Sequence, residues 1–528
     1  MSHTQPYILA IDHGTSGIKA AIVTVSGKIL DYEYERTAIH YLPGGGAEQD
    51  PADWWQALVK AASRLIAKGT IRPENITAMA ISSTFSTTVA VDKNGDPLMN
   101  ALTWMDSRGA PYVKKIVGGF PSINGYGLFR IMRWIPKTGG GPTLSGKDDI
   151  AHVLLIKNEF PDVYRRTHMF LPSKDYLNLR LTGKFAASYD SMQLFWVSDI
   201  RDIRKIRYDE KFLALLDLDP AKLPPMAPST DILGTVCKEA AAAIGISENV
   251  QVVLSSPDHQ TACIGSGAVD DFAGHLYVGT SSWIQAVIPF KRTDVLHSIA
   301  SFPTAIPGKY QSVNEQDMAG GCLSHLFENL LFWDNALRSE RPVDPYLHID
   351  AIAGKVPPGS RNLIYLPWLN GERTPVDDTT LRGGFFNMSK TTTQDHLIRA
   401  VMEGVAYNTR WSLKYVERFI GRKLDPIHFI GGGAQSEVWC GIFADVLNRE
   451  IRQVENPRQA NARGAAFIAA VGLGHINFKD IPRLTRIQKT FHPHADNCKT
   501  YKRLYDVFMR LYRKTKPIYR RLNRLDNV

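Results

Sequence analysis

Two aspartates, Asp12 and Asp258, and two short glycine-hydroxyl turns, Gly14-Thr15-Ser16-Gly17 and Gly279-Thr280-Ser281-Ser282, are the residues of this chain whose types and spacing could do chemistry. The first turn follows the β-rich run Tyr7 to Asp12 and leads into Ile18 to Val25; the second follows His275 to Val278 and leads into Trp283 to Ile288. Glycine lets the backbone approach a ligand closely and the hydroxyls add donors, so such a turn offers several N–H and O–H groups to one phosphate. A single copy reads as a hairpin. Two copies half a chain apart, the first with Asp12 immediately before it, point to a phosphate site assembled from both halves. Phosphoryl transfer to a hydroxyl also needs a carboxylate to accept the proton and one to hold Mg²⁺. Asp12 ends the first strand, and Asp258 follows the strand Val250 to Leu254 through Ser255-Ser256-Pro257. Alone, an aspartate after proline is a turn former; the phosphate turns give it a second reading.

A further glycine cluster, Gly431-Gly432-Gly433-Ala434-Gln435, lies between the apolar strand Ile427 to Ile430 and a helical segment, Val438 to Val446. Strand, glycine turn and helix N-terminus form a candidate anion or nucleotide site. The Walker lysine and the G-x-G-x-x-G spacing are both missing, so neither a P-loop nor a dinucleotide fold is indicated.

The elements that must position these groups alternate between strand and helix, which predicts an α/β fold. With 528 residues, the chain exceeds what one core supports, and the paired turns divide it into two large domains. The expected boundaries are 1–255 and 256–490, followed by 491–528 as a basic amphipathic terminal helix. Residues 118–146 combine glycines with the aromatic run Leu128 to Ile135 and read as an inserted loop with a short helix, a lid or a subunit contact; the latter would serve a homodimer.

Composition excludes several classes. Apolar residues make up 44% and charged residues 22%, an ordinary globular balance. No apolar run reaches the roughly 18 residues of a membrane helix, and the N-terminus has no basic leader, so a cytoplasmic location is expected. The five cysteines are scattered, which argues against a disulfide framework and a zinc site. Most of the net charge of +10 sits in residues 499–528, which hold ten Lys or Arg and two Asp or Glu. There Tyr501, Leu504, Tyr505, Phe508, Leu511 and Tyr512 recur at helical spacing, so the segment reads as a solvated helix docked on the core; neither nucleic acid nor membrane is expected as a partner.

The chain resembles the FGGY carbohydrate kinases, relatives of the sugar kinase, actin and Hsp70 fold. The matching stretches are Asp12 to Ala20, Glu48-Gln49-Asp50-Pro51, Trp104-Met105-Asp106-Ser107-Arg108, Leu181-Thr182-Gly183, Asp258, Gly279-Thr280-Ser281, Leu366 to Pro375, Gly431-Gly432-Gly433 and Gly464-Ala465-Ala466, in family order from about residue 7 to 515. The resemblance implies two actin-like (ribonuclease H-like) domains closing over an interdomain cleft that takes ATP, Mg²⁺ and a small sugar or polyol. It implies Asp12 and Asp258 at the metal, with Asp258 also the catalytic base. Gly14, Thr15, Ser16, Lys19, Gly279, Thr280 and Ser281 would lie at the phosphates, and Gly432, Gly433, Ala434 and Gln435 beside the adenosine. At the sugar end the run Thr84-Phe85-Ser86-Thr87-Thr88 departs from the Gln-Met-His of xylulose kinases and the Arg-Glu pair of glycerol kinases, and is more similar to ribulose kinases. Phe85 can stack on the carbon face of a sugar while Thr84 and Ser86 bond its hydroxyls. Trp104, Asp106 and His259 complete the expected pocket. The expected activity is phosphorylation of a small ketose or polyol, a pentulose favoured. A glycerol or signalling-carbohydrate kinase, or a non-catalytic nucleotide-binding regulator, is the alternative; the presence of both Asp12 and Asp258 argues against the last.

Overall fold

The computed structural model describes residues 5–331 and 344–523. Two mixed sheets dominate it. The first runs Ile232–Thr235, Gln251–Val253, Ile76–Ser83, Tyr7–Gly14, Gly17–Thr24, Ile29–Arg36, and the second runs Ile487–Phe491, Ile451–Val454, Ile427–Ile430, Gly274–Val278, Ser282–Ile288, Tyr310–Val313, Ala300–Pro303. The two orders have the same logic. In each, an antiparallel hairpin carrying a phosphate-type turn is flanked by two successive parallel strands and closed by an antiparallel edge. This is the two-domain, actin-like α/β architecture.

Strand sequence follows burial. Ile8 to Ile11 are wholly buried, as are the inner residues of Gly17–Thr24 apart from Lys19, which is why these stretches read as near-continuous apolar runs rather than alternating ones. The outermost strand Ile29–Arg36 alternates half-buried and exposed residues instead. Between Gly14 and Gly17 the hairpin closes in two residues. Gly17 has φ of +156°, and a Cβ there would lie 2.3 Å from the Glu35 carbonyl; only glycine fits.

Helices Asp258–Gly265 and Ala460–Gly472 cross beside the strands Tyr7–Gly14 and Ile76–Ser83. Their backbones touch. A Cβ on Gly265 would fall 1.8 Å from the Ala460 carbonyl oxygen, and one on Gly464 1.9 Å from that of Thr261. A Gly464→Ala substitution therefore cannot be absorbed by a side-chain shift. It is expected to cost at least the 1–3 kcal/mol or so of an overpacked core, read as a lower melting temperature in calorimetry.

The terminal helix Ala495–Leu522 lays Tyr501, Leu504, Phe508 and Tyr512 into the second half, where Phe508 and Tyr512 meet Trp368, Tyr407 and Trp411. Its Tyr501 hydroxyl joins a buried Arg399–Glu403 pair. Residues 524–528 of the expected tail lie outside the described residues. The inserted stretch forms a small hairpin, Ser122–Ile123 with Tyr126–Gly127, and the helix Leu128–Thr138.

Candidate active site between the two sheets

A cavity of about 500 Å³ opens between the halves and is lined by residues from both. Asp12, Gly14, Thr15, Ser16 and Lys19 enter from the first hairpin, Thr280 and Ser281 from the second, and Asp258 and His259 from the start of helix Asp258–Gly265. Thr84, Phe85, Ser86 and Trp104 also line it, as the sequence had suggested.

The first turn is held from behind. Gln49 Nε2 donates to the Thr15 carbonyl (3.0 Å) and Tyr34 Oη to that of Ser16 (2.7 Å). Trp104 Nε1 donates to Thr15 Oγ1 at 2.9 Å; an indole is a donor only, so the Thr15 hydroxyl keeps its hydrogen for another group. The second turn is braced by Ala319 and Gly321, whose N–H groups donate to the Thr280 carbonyl at 2.8 and 3.1 Å.

Asp12 is only 4% exposed. Its carboxylate accepts from Lys19 Nζ (2.8 Å) and from Asn461 Nδ2 (3.4 Å), the second a bond across the cleft. Asp258 Oδ1 accepts from the His259 N–H at 2.9 Å. Burial pushes the Asp258 carboxyl well above the usual aspartate range, and the negative charges of Glu315 and Asp12 add to the effect.

His259 is fixed in one protonation state by a relay. Gln285 Nε2 donates to the Asn314 carbonyl (2.8 Å), which identifies that atom as nitrogen, and lies 2.8 Å from His259 Nδ1. Nδ1 is therefore an acceptor, and the ring hydrogen sits on Nε2. Burial, holding the imidazole pKa down, agrees with a neutral ring. The ring stacks on Trp283 at 4.2 Å, and Trp283 stacks on Tyr277 at 4.0 Å. Phe85 faces His259 (6.0 Å) and Phe302 (5.9 Å), half-buried at the cavity wall.

Two sequence expectations at the sugar end need correction. Asp106 does not line the cavity: it is fully buried, and its carboxylate accepts from Arg108 Nε and Nη2 and from the Ala47 N–H. Ser86 does line it, but donates its hydroxyl hydrogen to the Lys147 carbonyl at 2.7 Å, leaving only acceptor capacity for a ligand. Gly279, Gly432, Gly433, Ala434 and Gln435 stand outside the cavity. They are close to the second turn, because Tyr277 pairs with Ile430 in parallel strands that end side by side. A Cβ on Gly432 would meet open space.

Sequence reasoning missed the far wall. Tyr126 and Lys147 come from around the inserted stretch, Trp196 from a turn, and Arg373 from a loop of the second half. Gly140 packs so closely over the Trp196 ring that a Cβ would lie 2.6 Å from it. Arg373 donates to Glu315 (2.6 Å) and Asp317 (3.1 Å) and lies 5.2 Å from the Trp104 ring. Thr15, Trp104 and Arg373 thus form a chain of contacts across the cleft. The Glu372-Arg373-Thr374-Pro375 stretch was visible as a motif; its position was not.

Residues 7–265 match the FGGY family of carbohydrate kinases, N-terminal domain, and residues 275–473 its C-terminal domain. A xylulose kinase of Bacillus subtilis (strain 168) is 26% identical over 514 residues, covering 97% of this chain and 98% of its own. A gluconokinase of the same organism is 25% identical over 510 residues, 96% of each chain. The ligand-bound xylulose kinase structure from Lactobacillus acidophilus has a TM-score of 0.84 at 23% identity over 98% of this chain and 100% of that one, a likeness of fold.

Proposed function

Because the chain belongs to the FGGY family of carbohydrate kinases, phosphotransferases with an alcohol group as acceptor, we propose that it transfers the γ-phosphoryl of ATP to a hydroxyl of a small ketose or polyol, with a pentulose such as ribulose or xylulose the favoured acceptor. The observation that carries this reading is the convergence of two Gly-Thr/Ser turns and a half-buried carboxylate, Asp258, on one cavity. Asp258 takes the proton of the attacking hydroxyl. His259 offers Nε2–H, Thr84 its hydroxyl, and Phe85 an apolar face to the sugar. Thr15, Ser16, Thr280 and Ser281 receive the phosphates, with Lys19 beside Asp12, and the 432–435 turn borders the adenosine.

Asp12 and Asp258 both line the cavity, and one or two carboxylates suffice for Mg²⁺ carried on nucleotide phosphates; Asp12 would hold it, with Asp258 nearby. When bound it neutralises charge on the β- and γ-phosphates.

The substrate test is a coupled ADP-release screen over pentuloses, hexuloses, pentitols, glycerol and gluconate. Turnover of a pentulose is expected; if every pentulose fails while another acceptor works, the pentulose reading falls. One observation favours a sugar acid as the second reading: Lys147 faces the cavity with no ion-pair partner among the described residues, and an ammonium there suits a carboxylate. Phe85→Ala is expected to raise the sugar KM by roughly 10-fold or more, with a smaller change in kcat.

The pH profile follows from Asp258. The base must be ionised to act and its pKa is raised, so kcat/KM is lost as pH falls through that raised value and is full above it. The acid limb is expected well above about 4, the ordinary aspartate value. A limb at that ordinary value would remove Asp258 as the base of the free enzyme.

A further inference from the structure

Asp258 leaves its strand through a turn more tightly fastened than a connecting loop requires. Ser255 adopts φ of +61°, a left-handed conformation that is strained for a non-glycine residue and persists only where its surroundings over-determine it. Those surroundings are polar and buried. The Leu254 carbonyl, immediately before Ser255, accepts from Lys174 Nζ (2.9 Å) and Asn178 Nδ2 (3.1 Å), both on helix Ser173–Thr182. The Ser255 N–H donates to the Ser229 carbonyl at 2.8 Å. Immediately after it, Ser256 Oγ donates to Asp190 Oδ2, whose other oxygen accepts from Ser188 (2.5 Å) and Ser229 (3.0 Å). Lys174 is paired with Asp175, which accepts from Ser191 at 2.6 Å. Lys174, Asp175 and Asn178 are wholly buried, and Asp190 is 1% exposed.

An ion pair placed in a core is weak evidence for stability, because desolvation cancels most of the attraction. What sets this cluster apart is where it reaches: Lys174 donates to the Leu254 carbonyl, and the Asp190 carboxylate accepts from the Ser256 hydroxyl. We propose that Lys174, Asp190 and Ser256 are positioning residues that hold the Leu254–Pro257 turn in the single conformation that presents Asp258 to the cleft. The inference rests on the reading of Asp258 as the base. Lys174 and Asn178 fix the peptide before the left-handed residue and Asp190 fixes the side chain after it, so the chain direction at Pro257 has no remaining freedom. The same cluster explains a fully buried lysine with no place in the reaction.

The test compares Ser256→Ala, which removes the hydroxyl that donates to Asp190 Oδ2, with Asp190→Asn, each beside Asp258→Asn as a control. Readouts are kcat, KM for ATP and sugar, the acid limb of kcat, and the thermal melt. A carboxylate displaced by a fraction of an ångström loses turnover, so both variants are expected to lower kcat by roughly 10- to 100-fold, to shift the acid limb, and to leave the ATP KM unchanged. Wild-type kcat and limb in both variants would overturn the proposal, as would a kcat loss that merely tracks the folded fraction. If Asp258→Asn itself turns over normally, the base reading fails and takes this proposal with it. An inactive Asp258→Asn beside a fully active Ser256→Ala sinks the positioning role alone.

Discussion

An Asp258→Asn variant is expected to lose on the order of 10² to 10⁴ in kcat, the usual contribution of a positioned general base, while binding ATP as the parent does. The substitution is close to isosteric, and the asparagine Oδ1 can still accept from the His259 N–H as the carboxylate does at 2.9 Å. The fold around it is therefore retained and only basicity is removed. It also removes a charge that the cavity disfavours, since Glu315 and Asp12 act against ionisation of Asp258; the melting temperature should hold or rise at neutral pH. Stopped turnover assays together with calorimetric ATP binding check this. Parental kcat with intact binding would take the base role away from Asp258.

The second large effect is expected at Asp12. Its carboxylate joins Lys19 on one side and Asn461 on the other, so it ties the first hairpin to a helix of the second half. Asp12→Asn keeps hydrogen-bonding capacity toward Asn461 but removes the negative charge that a cation on the phosphates would meet. A loss of on the order of 10² to 10³ in kcat is expected, in the range of one preorganised electrostatic contact, with the Mg²⁺ midpoint moved to higher concentration. A Mg²⁺ titration of turnover reads it directly. An unchanged midpoint with lowered kcat would place Asp12 in fold maintenance instead.

Much of the architecture was legible because local chemistry wrote it. The hairpins around Gly14 and Gly279 and the parallel strands Ile76–Ser83 and Ile427–Ile430 are buried on both faces, so they stand out as apolar runs bounded by turn residues. Asp258 could be found because it sits a few residues past such a strand. Asp106 was misread because its neighbour two positions on, Arg108, captures its carboxylate, a pairing that residue types alone do not announce. The far wall was illegible for another reason. Tyr126, Lys147, Trp196 and Arg373 meet only through tertiary packing, and no periodicity in one segment refers to the next. The contribution of Ser86 was half visible: its hydroxyl could be named, but not the Lys147 carbonyl that takes its hydrogen.

The crossing of helices Asp258–Gly265 and Ala460–Gly472 has a mechanical consequence. Where two helices meet through interlocked side chains, turning one against the other must lift ridges out of grooves. At Gly265 and Gly464 the contact is bare backbone on bare backbone instead, so the spacing of the two helices is set by peptide groups, which cannot yield as side chains do. The helix that starts at Asp258 and the helix that carries Asn461, the partner of Asp12, are thereby held at one separation.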